Sequence, residues 1–121
     1  FYCGVEHPPT HGYVQKRYQS YGANRWPEGL PELAPQCEAY IAALRGLAQR
    51  LMQLLALSLG LDEREFDPIL RDPMITLRLL RYPPHPENAD ALTFGAGAHT
   101  DWGAVTVLAQ DADLLVVPTR V

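Results

Sequence analysis

From Pro35 to Leu59 the chain carries an apolar pattern that commits it to a long amphipathic helix. Tyr40, Ile41, Leu44, Leu47, Ala48, Leu51, Leu54 and Leu55 recur at intervals of three and four, which puts side chains on one helix face. Arg45, Gln49, Arg50 and Gln53 fall largely on the opposite face. Pro35 suits the first turn, where its missing N–H costs no hydrogen bond, and Gly60 suits the C-terminal cap. The helix is therefore expected over residues 35–60. Its leucine stripe fits packing on a sheet better than a seam between two copies, because one broad apolar face is the ordinary pattern of a globular helix.

The flanking segments read as shorter elements. Residues 1–20 are rich in turn formers, and His7-Pro8-Pro9-Thr10-His11 reads as a loop. Its two histidines, four apart, would chelate a metal only on a helix, which the prolines forbid. Trp26, after Tyr21-Gly22-Ala23-Asn24-Arg25, reads as an aromatic anchor on the body of the domain. Asp62 and Glu65 have capping-box spacing and start a short helix through Phe66. Met74 to Tyr82 reads as a strand, with Ile75, Leu77 and Leu79 alternating against Thr76, Arg78 and Leu80. Neither face is wholly apolar, which suits packing on one side and a ligand cavity on the other. Pro83 to Asp90, including His85, is a loop. Residues 114–117 read as a further strand.

A chain of 121 residues is expected to form one domain with a small core. Its net charge of −4 comes without a block of either sign, so neither nucleic acid nor anionic lipid is an expected partner. No apolar run is long enough for a membrane span. Cys3 and Cys37 match no zinc spacing, and reduced thiols are the expected state. The cytoplasm is the expected location.

The chemistry concentrates between Gly95 and Asp111. His99 and Asp101 are two residues apart, so on an extended strand both side chains point to the same side. Imidazole nitrogen and carboxylate oxygen together suit a divalent metal, and an open face of two histidines and one carboxylate marks non-haem Fe(II) oxygenases. Gly95 and Gly97 let the backbone approach closely or bend. Val105-Thr106-Val107-Leu108 reads as a buried strand. On the His-x-Asp triplet alone, the plainer reading is an Asp side chain bonded to its own backbone beside a satisfied histidine.

The run GAHTDWGAVTVLAQD, preceded in order by YGANRWP and LRLLRYPP, resembles the iron(II)- and 2-oxoglutarate-dependent dioxygenases, and within them the isopenicillin N synthase-like group. The resemblance covers most of residues 18–111. It implies a mainly β fold with α: a double-stranded β-helix, or jelly roll, with a long support helix, incomplete in this chain. Residues 1–121 would then be one domain, the N-terminal and central part of that fold, with the first core strands over 74–121. It implies Fe(II) held by His99 and Asp101, and 2-oxoglutarate as co-substrate, its distal carboxylate contacted by Tyr82. Trp102 and Thr106 become substrate-pocket candidates, and Gln110 a cavity-facing one. O2 and a small organic molecule become the partners, the latter hydroxylated, desaturated or cyclised. The family also uses a second histidine well downstream and an Arg-x-Ser, and neither occurs after Asp101 in these residues. Leu80 stands where the family often has Asn.

Two other readings compete. One is a truncated or degenerate member of the same fold, a non-catalytic binding or structural module. The other is a zinc hydrolase built on His99 and Asp101, which would need a third ligand and a general base.

Overall fold

A computed structural model describes residues 1–19, 21–84, 86–90 and 95–110. Four elements follow in order: strand β1 (Tyr2–Gly4), the one-turn helix α1 (Gly12–Gln15), the long helix α2 (Leu33–Ser58) and strand β2 (Thr76–Arg78). The chain divides into two compact units, Phe1–Leu80 and Arg81–Val121. All four elements belong to the first.

Helix α2 spans 26 residues, starting two residues before the expected Pro35. Pro35 thus sits at the third helical position, where no intrahelical donor is lost. The C-terminus closes as the glycine suggested. Gly60 takes φ 71°, Gly60 N–H donates to Leu57 O, and Leu61 N–H donates to Ala56 O, both at 3.0 Å. These are the paired bonds of a Schellman cap, which needs a left-handed residue at that position.

The buried stripe of α2 runs through Cys37, Ile41, Met52 and Ala56, with Leu44 and Ala48 half-buried. Tyr40, Leu47, Leu51, Leu54 and Leu55, expected on the packed face, are exposed. The reason is geometric. The sheet lying on this helix has two strands of three residues each, too narrow to cover a wide apolar face.

That sheet is antiparallel, with Tyr2 opposite Arg78, Cys3 opposite Leu77 and Gly4 opposite Thr76. Phe1 and Leu79 extend it, each donating N–H to the other's carbonyl at 3.0 and 2.9 Å. The outer edge of β1 is closed by a side chain. Gly4 N–H donates to Asn24 Oδ1 and Asn24 Nδ2 donates to Gly4 O, both at 2.9 Å. The carboxamide thus stands in for the peptide of a third strand and satisfies an exposed edge. Strand β1 lies in a segment read as turns. β2 is shorter than the expected 74–82, yet Ile75 and Leu77 point into the core as the alternation required.

Cys3, Cys37 and Ile41 form the core, packed by Val5, Trp26, Leu33, Ile75 and Leu77. Trp26 is the anchor its setting suggested, with Phe1 tilted against it at 5.7 Å between centroids. Asp62 Oδ1 accepts from Arg64 N–H at 2.8 Å, but residues 63–70 form successive turns instead of the expected short helix. Among the described residues no helix is long and apolar enough to cross a membrane.

The two cysteines are free thiols in contact. Burial first, and then the hydrogen bond to Cys37 and its charge, push the Cys3 thiol up to about 11. A group that holds its proton more tightly when folded stabilises fully below its unfolded range and loses that contribution as pH rises to its folded value. Thermal unfolding followed by circular dichroism should therefore show the midpoint falling as pH rises toward about 11. Cys3→Ala should flatten that decline. Gly60→Ala should cost about 1 kcal/mol in urea unfolding, because a side chain at positive φ is strained.

Candidate metal centre

His99 and Asp101 lie in the second unit. The backbone bends at Ala96 and Ala98, on either side of Gly97, and His99 Nδ1 lies 2.7 Å from Gly97 O. A carbonyl only accepts, so Nδ1 carries the proton and donates. Nε2, on the far side of the ring, then faces Asp101 Oδ1 at 3.2 Å. Both side chains are exposed.

The two expected ligands therefore converge, by a different backbone than expected. Residues 99–101 are irregular, and 105–108 form no strand. Val105 and Leu108 are exposed, so the buried-strand reading is corrected. A strand needs a neighbour to pair with, and β1 and β2, the strands among the described residues, pair with each other. The spacing of two still sets the convergence, because the Gly97 carbonyl aims the ring.

Whether this pair suits a metal is a question of donor chemistry and spacing. Two bonds of about 2.1 Å at a right angle put donor atoms about 3 Å apart, and the observed 3.2 Å fits. A histidine that ligates through one nitrogen while its other N–H donates to a backbone carbonyl is the usual arrangement around metals. The imidazole and carboxylate donors are those of non-haem Fe(II) sites.

Tyr82 belongs to the same unit and approaches the glycine segment before His99. A Cβ on Gly95 would lie 2.9 Å from Tyr82 Cδ1 and 3.2 Å from Cε1. Gly95 thus makes room for the ring, as close approach to a glycine allows. Trp102 is 96% exposed, and Thr106 is exposed too. His85 and residues 114–117 lie outside the described residues.

A second group of ligand-type atoms lies in the first unit. His7, His11 and Asp72 bring one such atom each within 4.8 Å of one another. The rings of His7 and His11 are stacked, 4.2 Å apart and 28° from parallel. Lone pairs in two nearly parallel stacked planes do not meet at one ion. His11 Nδ1 accepts from Tyr13 N–H at 3.3 Å, which leaves the proton on Nε2, 3.0 Å from Asp72 Oδ2. The group is a hydrogen-bonded aromatic stack that joins the His7–His11 loop to Asp72, with Tyr21 against both rings. Burial, then the charges of Tyr13 and Asp72, raise the Tyr21 phenol. Sequence spacing missed this cluster because Asp72 is 61 residues from His11.

Comparison with known proteins bears on the chain as a whole. The chain is 36% identical over 113 residues to a 2-oxoglutarate-Fe(II) type oxidoreductase of Aspergillus fumigatus, covering 91% of this chain and 34% of that protein. It is 38% identical over 112 residues to another 2-oxoglutarate-Fe(II) type oxidoreductase, from Emericella nidulans, covering 89% and 31%. The chain's relatives are 2-oxoglutarate–Fe(II) oxidoreductases. A homoarginine-6-hydroxylase of Glycine max is 36% identical over 104 residues, 82% of this chain and 31% of that enzyme. The chain spans about a third of the length of these curated relatives. No protein-family model and no solved structure matches it.

Gly95 and Gly97 separate two effects. In NMR spectra, Gly95→Ala should shift the Tyr82 ring protons, since the new methyl would overlap the ring. Gly97→Ala should leave them nearly unchanged, since nothing lies within 4 Å of a Cβ there.

Proposed function

We propose that this protein is a non-haem Fe(II) oxidoreductase that uses O2 and 2-oxoglutarate to oxidise a small organic molecule. The observation that carries this reading is His99 Nε2 facing Asp101 Oδ1 at 3.2 Å while Nδ1 is committed to Gly97 O. The similarity to 2-oxoglutarate–Fe(II) oxidoreductases over nine-tenths of the chain supports it. The fold we propose is their jelly roll, with α2 as the support helix and residues 1–121 as its N-terminal and central part. The isopenicillin N synthase-like group is the subgroup the upstream motifs favour. We propose the cytoplasm as its location, in keeping with cysteines held as thiols.

His99 and Asp101 would hold Fe(II), which with 2-oxoglutarate supplies the oxidising power toward O2. This chain's own groups do the positioning. The Gly97 carbonyl fixes the imidazole tautomer and leaves Nε2 bare toward the metal side. The Asp101 carboxylate supplies the negative charge that favours a divalent cation. The Tyr82 phenol donates to the distal carboxylate of the co-substrate, a charge-assisted bond, from a ring seated against Gly95. Trp102 and Thr106 are assigned to the substrate pocket. The non-catalytic alternative is disfavoured by the relatives, which are named oxidoreductases and hydroxylases.

Anaerobic titration with Fe(II) tests the reading. His99→Ala and Asp101→Asn should each weaken iron binding by roughly a hundredfold or more, beyond the loss seen when only an outer partner of a ligand is removed. 2-Oxoglutarate turnover should disappear with it. Iron content unchanged in both variants would sink the assignment.

A further inference from the structure

The exposed polar face of α2 carries a groove that the oxygenase reading does not use. Arg45, Gln49, Arg50 and Gln53 line it from the helix, and Asp67 and Arg71 line it from the turns that follow. It is an open groove of about 680 Å3, roomy enough to seat a small organic ligand.

Three arginines and one aspartate line it, on a chain whose net charge is −4. Among the described residues, none of the three arginines makes an ion pair, not even with Asp67. Arg45 donates to the Arg71 carbonyl at 3.3 Å, which ties the helix to the opposite wall. The guanidinium groups of Arg50 and Arg71 have no intramolecular partner among the described residues. Gln53 Oε1 is also buried without a hydrogen-bond donor. A buried unpartnered acceptor is costly and rare.

We propose that this groove binds a hydroxyl-bearing organic phosphate. A phosphate presents three oxygens and up to two negative charges to several guanidinium groups, whereas a carboxylate is filled by one bidentate arginine. The phosphate meets the arginines. The ligand's hydroxyl groups donate to the Asp67 carboxylate and to the Gln49 carboxamide oxygen, acceptors on the two walls. The volume exceeds the need of inorganic phosphate and leaves room for the polyol.

Isothermal titration calorimetry of the purified protein at low ionic strength, with glucose 6-phosphate as the probe, tests the proposal. Saturable binding to one site is expected, tighter than that of inorganic phosphate or succinate, with none for glucose. Arg50→Gln and Arg71→Gln should each weaken it about tenfold, the effect of losing a charge-assisted hydrogen bond. Both side chains are outside the core, so the variants should keep the α2 signal in circular dichroism. His99→Ala should leave binding unchanged, which separates this site from the iron reading. The proposal is overturned by absence of saturable heat, by equal affinity for succinate, by arginine variants that bind like the parent, or by loss of binding in His99→Ala. Displacement of the sugar phosphate by a much tighter-binding polyglutamate peptide would also overturn it, in favour of an acidic protein partner.

Discussion

The first eighty residues depend on one non-local pairing, Tyr2–Gly4 against Thr76–Arg78. Closing a loop of that length is entropically costly, so the ladder must be supported by what it buries. Its inner face carries Cys3 and Leu77, and these meet Cys37 and Ile41 on the first turns of α2. Trp26 and Leu33 fill the sides. The Asn24 carboxamide seals the edge that β2 leaves open. Each part is small, and each holds another in place. The strand positions Cys3, the thiol contact seats the strand on the helix, and the amide removes the reason for the edge to seek a different partner.

The proposed metal centre works by the same economy of means. The chain bends at Gly95, Ala96 and Ala98 before His99, and a backbone carbonyl instead of a side chain takes the Nδ1 proton of the imidazole. The choice matters because a histidine with its proton on Nε2 would turn an N–H, not a lone pair, toward Asp101. The contrast with His11 is instructive. There Nδ1 accepts from a backbone N–H and Nε2 keeps the proton against Asp72. Two His–Asp pairs of similar separation in one chain thus differ in the part Nδ1 plays: it accepts at His11 and donates at His99.

Much of this was legible in the sequence, and what was not has a physical cause. The periodicity and the cap glycine marked α2 to within two residues, because local spacing sets helices. The anchoring role of Trp26, the inward Ile75 and Leu77, and the convergence of His99 with Asp101 also follow from local rules. Strand β1 was hidden. Three residues hold no period, and its partner lies more than seventy positions away. The buried stripe of α2 was misplaced toward the leucines because hydrophobicity ranks Leu51 above Cys37, whereas burial depends on where a narrow sheet can reach. The strand expected at Val105–Leu108 shows the converse: β propensity with no pairing partner among the described residues leaves the segment irregular.

The central claim is that the Gly97 carbonyl holds the Nδ1 proton of His99 and leaves Nε2 to take a metal beside Asp101. Nitrogen-15 NMR of the histidine side chains, read with and without Zn(II) as a diamagnetic substitute for iron, measures this directly. The account predicts a proton on Nδ1 of His99 with and without the metal, and a metal-induced shift at Nε2 alone. An Nε2–H tautomer, or a ring whose two nitrogens ignore the added metal, would contradict it.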